Sequence, residues 1–84
     1  MARAEKIIEK IKTKPTLSNI KWDELVWLLR HLGYKVLNGN GSRRKFHNAE
    51  KDHLINLHEP HPGNELKTYA IDQVREKLEE IGLI

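Results

Sequence analysis

Four of the chain's five histidines, His47, His53, His58 and His61, fall within fifteen residues of one another, and Arg43, Arg44 and Lys45 stand just ahead of them. Histidine can both take and give a proton near neutral pH, because its ordinary pKa lies there. Arginine and lysine suit a phosphate and stabilise the charge that builds on its oxygens during transfer. Together these residue types fit cleavage of RNA by its own 2′-hydroxyl, which needs a base, an acid for the leaving oxygen and a cation near the phosphate. His58 and His61 are the candidate acid and base. Arg43, Arg44, Lys45, His47, Lys35 and Ser42 are the candidate RNA contacts. A metal or cofactor is not called for: His58 and His61 are three apart on a loop, no third ligand stands at a fixed spacing, and the chain has no cysteine. Gly39-Asn40-Gly41-Ser42 precedes a strand and not a helix, so it does not read as a phosphate-cradling loop.

The size of the chain limits where such chemistry can happen. At 84 residues and 9.8 kDa the expectation is one domain over residues 1–84. A chain this short hides only about 60% of its unfolded surface, so a reaction would take place in a shallow groove. Net charge is +3, unevenly spread: residues 1–22 carry six basic and two acidic side chains, residues 35–51 five and one, and residues 67–84 three and four. That excess favours a phosphate-bearing partner. The lack of cysteine fits a reducing compartment, and no apolar run approaches the ~18 residues of a membrane span, so a cytoplasmic protein with no membrane partner is expected.

Elements that could position these residues follow from periodicity. Ala4, Ile7, Ile8 and Ile11 recur at helical spacing, which predicts a helix over residues 2–13 that Lys14-Pro15 ends. Trp22, Leu25, Leu28, Leu29 and Leu32 line one face of a second helix, with Ile20 set to pack on Leu25 and Gly33 as the stop. Trp27 projects to the opposite side, where it meets either the N-terminal helix through Ile7, Ile8 and Ile11 or a partner protein. From Tyr34 the period becomes two. Asn38-Gly39-Asn40-Gly41 can reverse the chain into a strand from Ser42 to about Asn48, Ala49 to Asp52 reverses it again, and His53 to His58 forms a third strand. After the rigid Pro60-His61-Pro62 loop, Ile71, Val74, Leu78 and Ile81 mark a last helix, with Thr68 as N-cap, Asp72 in its first turn and Gly82 as C-cap.

The result is an α+β fold, α-β-β-β-α with an extra N-terminal helix, whose helices cover one face of an antiparallel sheet. Alternation sorts the sheet residues. Phe46, Ile55 and Leu57 point inward, which leaves Lys35, Leu37, Arg43, Lys45, His47, Leu54, Asn56 and His58 on the open face. His53 falls on the inner side and is expected to be half-buried and structural, while His31 sits on a helix flank.

These segments carry a family resemblance. The leucine-faced run Trp22 to Gly33, then Gly41-Ser42-Arg43-Arg44-Lys45-Phe46, Leu57-His58-Glu59-Pro60-His61-Pro62-Gly63-Asn64-Glu65-Leu66-Lys67, Val74-Arg75 and Ile81-Gly82-Leu83 together resemble the HicA family of toxins. The resemblance covers residues 20–84 and leaves 2–13 as an additional helix. It implies a fold like a double-stranded-RNA-binding domain, metal-independent endoribonuclease action on messenger RNA, and neutralisation by a HicB-like antitoxin. The basic open face suits an acidic antitoxin surface, so the antitoxin is expected to cover Arg43 and His58. HicA-like toxins usually carry a catalytic histidine directly after the glycine-serine pair, and here that position is Arg43. Arginine stays protonated and cannot serve as a base. Three readings follow: His58 or His61 performs proton transfer, the chain is a non-catalytic RNA-binding module, or the mechanism leans on electrostatics with Arg43 holding phosphate.

Overall fold

The computed structural model describes residues 2–84. Among them the elements run α1 (Arg3–Lys12), α2 (Trp22–His31), β1 (Lys35–Asn38), β2 (Arg43–Asn48), β3 (His53–His58) and α3 (Thr68–Glu80). This is the α-β-β-β-α order with one helix added in front, an α+β fold like that of a double-stranded-RNA-binding domain. The strands form an antiparallel meander in the order β1-β2-β3. No helix is long and apolar enough to cross a membrane among the described residues.

Each helix stops where the sequence changes character. α1 ends at Thr13, whose backbone is already extended ahead of Pro15. α2 and α3 share a different device, in which a glycine at positive φ folds the chain back over the last turn. Gly33 (φ +101°) donates to the Arg30 carbonyl and Tyr34 to the Leu29 carbonyl, at 3.0 and 2.9 Å. Gly82 (φ +73°) and Leu83 repeat this on Glu79 and Leu78, at 3.1 and 2.9 Å. The start of α3 departs from expectation. Lys67 is the N-cap residue, Thr68 is already helical and makes no capping bond, and no acidic side chain lies in the first turn. Thr68 and Asp72 fall short of those roles because the helix begins one residue earlier than expected, which leaves Asp72 in its second turn; there it pairs with Arg75 on the same helix at 3.0 Å and accepts from the Thr16 hydroxyl.

One core joins all six elements. Ile7 and Ile11 of α1, Leu25, Leu28 and Leu29 of α2, Phe46, Ile55 and Leu57 of the sheet, and Ile71, Val74 and Leu78 of α3 are all buried in it, with Ile20, Tyr34 and Leu66 from the connections. Leu32 and Ile81, expected on the apolar stripes, are only half-buried because each sits at the end of its helix. Phe46 pairs with Val36 and Ile55 across the sheet and meets Trp22 edge-on at 5.6 Å. Trp27 does pack toward α1, but its distinguishing contacts are polar. The Arg3 guanidinium lies 4.4 Å over its ring and His31 stacks at 5.2 Å.

Buried polar groups hold the element ends. Arg75 is buried on α3 and reaches α1, donating to the Ile11 and Thr13 carbonyls at 2.7 and 3.1 Å and to the Thr16 hydroxyl at 2.7 Å. It thereby satisfies carbonyls that the end of α1 leaves without helical partners. Asn48 joins the end of α2 to the β2–β3 turn by donating to the Leu32 carbonyl and accepting from the Lys51 amide. His53 is buried more fully than expected and engaged on both ring nitrogens, with Tyr34 Oη at 2.6 Å from Nδ1 and Glu80 Oε2 at 3.2 Å from Nε2. A carboxylate can only accept, so Nε2 carries a proton, and in the neutral ring the Tyr34 hydroxyl donates to Nδ1.

Candidate functional site

Strand pairing determines which candidates meet. Arg43 is directly opposite His58, Lys45 opposite Asn56 and Leu37, and His47 opposite Leu54 and Lys35. All eight residues expected on the open face by alternation therefore share it, and none is acidic. Arg43, Lys45 and His58 are exposed, as are Leu37 and Leu54. Along β2 the cations follow every second residue, so His47 and Lys35 lie about 13 Å from the Arg43–His58 pair at ~3.3 Å per residue. Those two extend the face without joining the site.

The end of the sheet is where the histidines gather. Ser42 precedes β2 and its Oγ lies 3.3 Å from His58 Nδ1, while the Glu59 amide donates to the Ser42 carbonyl at 2.8 Å. This second bond extends the β2–β3 ladder and keeps the serine beside the histidine. His61 follows on the proline loop and shares one depression with His58. A neighbouring depression brings His61 together with Ser42 and Arg44. Arg43, Lys45 and His58 line a further groove with Asn56 and Gln73, the latter tied to the β3 edge by donating to the Asn56 carbonyl at 2.9 Å.

Arg44 takes the other side of the pleat, although it also lines the groove of Arg43, Lys45 and His58. It shares the inner parity of Phe46, is half-buried, and donates to the Gly41 and Arg43 carbonyls at 2.8 and 2.7 Å. Its Nε also pairs with Glu59 at 3.2 Å. A guanidinium with these partners braces the turn that carries Ser42. The basic run Arg43-Arg44-Lys45 is thus split by the pleat, with its middle member on the other side.

The loop with His61 is anchored from outside the sheet. Lys21 and Glu65 form an antiparallel bridge, the Trp22 amide donates to the Asn64 carbonyl at 2.6 Å, the Leu66 amide to the Ile20 carbonyl at 2.9 Å, and the Ser18 hydroxyl to the Leu66 carbonyl at 2.9 Å. Sequence reasoning missed two residues of this neighbourhood. Lys67 and Tyr69 line the same depression as His58 and His61. The available signal was a cation and an aromatic in the first residues after a rigid loop that bears a candidate catalytic histidine.

Among the described residues no three or more histidine, aspartate and glutamate side chains cluster in a way that could hold a metal ion. Searches among curated proteins and among solved structures find no match to this chain. Residues 22–83 match the sequence model of a family described as HicA toxin of bacterial toxin-antitoxin. The match runs from the first residue of α2 to the turn that caps α3, taking in the paired strands, Ser42, both site histidines and the proline loop, and leaving residues 1–21, which include α1, and residue 84 outside. The chain therefore belongs to the HicA toxin family of bacterial toxin-antitoxin systems, whose toxins act with an antitoxin partner.

Proposed function

We propose that this chain is an endoribonuclease toxin that cuts messenger RNA without a metal and is silenced by a HicB-like antitoxin. The observation that carries the reading is the meeting of Ser42, Arg43 and His58 at the end of the β2–β3 pair, with His61 on the adjoining loop. When His58 Nδ1 donates to Ser42 Oγ, its Nε2 keeps a free lone pair and can take the proton of a 2′-hydroxyl. The 2′-oxygen then bonds to phosphorus, the bond from phosphorus to the 5′-oxygen breaks, and the leaving oxygen receives a proton from His61. Arg43 and Lys45 bind the phosphate and offset the charge that builds on its oxygens. Arg44 acts through the turn it braces. Lys35 and His47 hold phosphates further along the strand.

The antitoxin reading rests on the same face. Eight side chains without a carboxylate, including the exposed Leu37 and Leu54, suit a partner that is acidic with an apolar centre. A toxin of this design is turned off most directly by covering Arg43 and His58.

The test is cleavage of messenger RNA by purified protein at low salt in the presence of EDTA, with the ends analysed. The mechanism requires a 2′,3′-cyclic phosphate on one fragment and a 5′-hydroxyl on the other. RNA left intact, together with harmless expression in cells, would reject the enzyme. One feature favours a second reading, a non-catalytic RNA-binding module of the same fold: Arg43 fills the position where HicA-like toxins usually carry a histidine. In that case binding weakens with salt and no cut ends appear.

A further inference from the structure

The chain has five aromatic side chains, two Trp, two Tyr and one Phe. Four of them have a packing partner. Phe46 and Trp22 meet edge-on, Trp27 is enclosed by His31 and Arg3, and Tyr34 is buried against His53. Tyr69 is the exception, 62% exposed and with no aromatic or cationic partner among the described residues. Lone exposed apolar residues are ordinary on a surface. What sets Tyr69 apart is its position, because it lines the depression that also holds His58, His61 and Lys67.

We infer that Tyr69 is a stacking platform for one unpaired RNA base, and that it seats the nucleotide next to the phosphate handled by His58 and His61. This rests on the RNA reading above and specifies the form in which the substrate binds. The volume of the depression, about 210 Å³, is below the ~300–1,000 Å³ of pockets that enclose whole small ligands. A single planar ring against its wall fits that scale better than a larger group. Lys67 is exposed and has no carboxylate partner among the described residues, so it is free to take the adjoining phosphate. Of the two acids in the lining, Glu59 is already paired with Arg44, and Glu65 is exposed, with its backbone fixed by the bridge to Lys21. The bonds from residues 18–22 to Asn64 and Leu66 keep this wall in shape before anything binds.

The consequence concerns strand class. A base can lie on an aromatic ring only if it is unstacked and unpaired, whereas duplex RNA is read through its backbone and shallow groove. Although the fold is like a duplex-binding domain, this site selects single-stranded RNA.

The experiment measures binding of a short single-stranded 2′-O-methyl oligoribonucleotide, which cannot be cut through its 2′-hydroxyl, to the full chain at low salt. Wild type is compared with Tyr69→Ala, Tyr69→Leu and Tyr69→Phe. Loss of a base stack costs about 1–3 kcal/mol, so Tyr69→Ala should bind roughly 5- to 150-fold more weakly. Tyr69→Phe should bind as wild type does, and Tyr69→Leu should fall well below it. A 2-aminopurine scanned through the oligonucleotide should show one position whose fluorescence is quenched by wild type and not by Tyr69→Ala. Removing that base should cancel the difference between them. Equal binding by wild type and Tyr69→Ala, full binding by Tyr69→Leu, or loss in Tyr69→Phe would each overturn the platform and leave the RNA reading standing. Failure of wild type to bind any single-stranded RNA would instead defeat the RNA reading itself.

Discussion

His53 and His58 stand at the two ends of one strand and face opposite sides of the sheet. The first is 8% exposed with both ring nitrogens bonded, to Tyr34 and Glu80. The second is exposed and bonded on Nδ1 alone, to Ser42. Two arginines repeat the contrast. Arg75 is buried against the end of α1, while Arg43 lies open opposite His58. The same functional groups thus serve as fasteners on the closed side and stay available on the open one. A side chain whose bonds are all made is committed to stability, and one with a free donor or acceptor toward solvent can still meet a ligand.

That contrast can be broken most sharply at the histidines. His58→Ala should lower the cleavage rate roughly 10²- to 10⁴-fold and shift unfolding stability by no more than about 0.5 kcal/mol, read by RNA cleavage and urea titration. A variant that cuts RNA at the wild-type rate would remove His58 from the chemistry. Arg75→Ala should give the converse, a loss of about 3 kcal/mol in stability as buried carbonyls lose their donor. Its counterpart Arg43→Ala should keep its urea midpoint while RNA affinity falls and the salt dependence flattens by about one counterion. If Arg75→Ala and Arg43→Ala unfold at the same urea concentration, the two regions do not differ as described.

A smaller effect is expected from His53→Ala, about 2 kcal/mol of stability, since it leaves the buried Tyr34 hydroxyl without its acceptor. Cleavage per folded molecule should be unchanged. The smallest effect is in the pH dependence. The hydrogen bond from His53, with the charge of Lys77, holds the Glu80 carboxyl below its ordinary value of 4.5. A depressed carboxyl contributes stability that is complete above its unfolded pKa and is lost as pH falls through the lowered folded value. Glu80→Gln should therefore flatten stability against pH below about pH 5. Burial, and then the negative charge of Glu80, push the Tyr34 hydroxyl above 10.0. Its contribution is complete below that pH and lost as pH rises through the folded value, so Tyr34→Phe should remove the alkaline limb on top of a pH-independent loss from leaving buried His53 Nδ1 without its donor. Unfolding curves from pH 3 to 11 test both, and an unchanged acid limb in Glu80→Gln would remove that carboxylate from the chain.

Much of the architecture was legible along the chain. Apolar spacing of 3.6 residues marked the helices, the change to period two after Gly33 marked the meander, and both glycine stops lie where the left-handed backbone requires them. Parity assigned Arg43, Lys45, His47 and His58 to one face and His53 to the other, because a strand turns successive side chains to opposite sides. Parity also set Arg44 apart, although the run of three cations suggested one phosphate-binding unit. The expected N-cap at Thr68 was wrong by one residue, since the helical backbone already includes Thr68 and starts from Lys67 without a side-chain cap.

The sequence by itself determined the alternation of faces, the helix stops and the basic character of the open sheet, all of which depend on neighbours a few residues apart. Only the tertiary structure decided that Ser42 meets His58 across 16 residues, that Arg75 closes the end of α1 across 64, and that Lys67 and Tyr69 join the histidines. Periodicity says which way a side chain points and not what stands opposite it. That partner is chosen when separate segments pack on a shared core, and the +3 charge becomes a usable face only once the strands are paired and the helices have covered the other side.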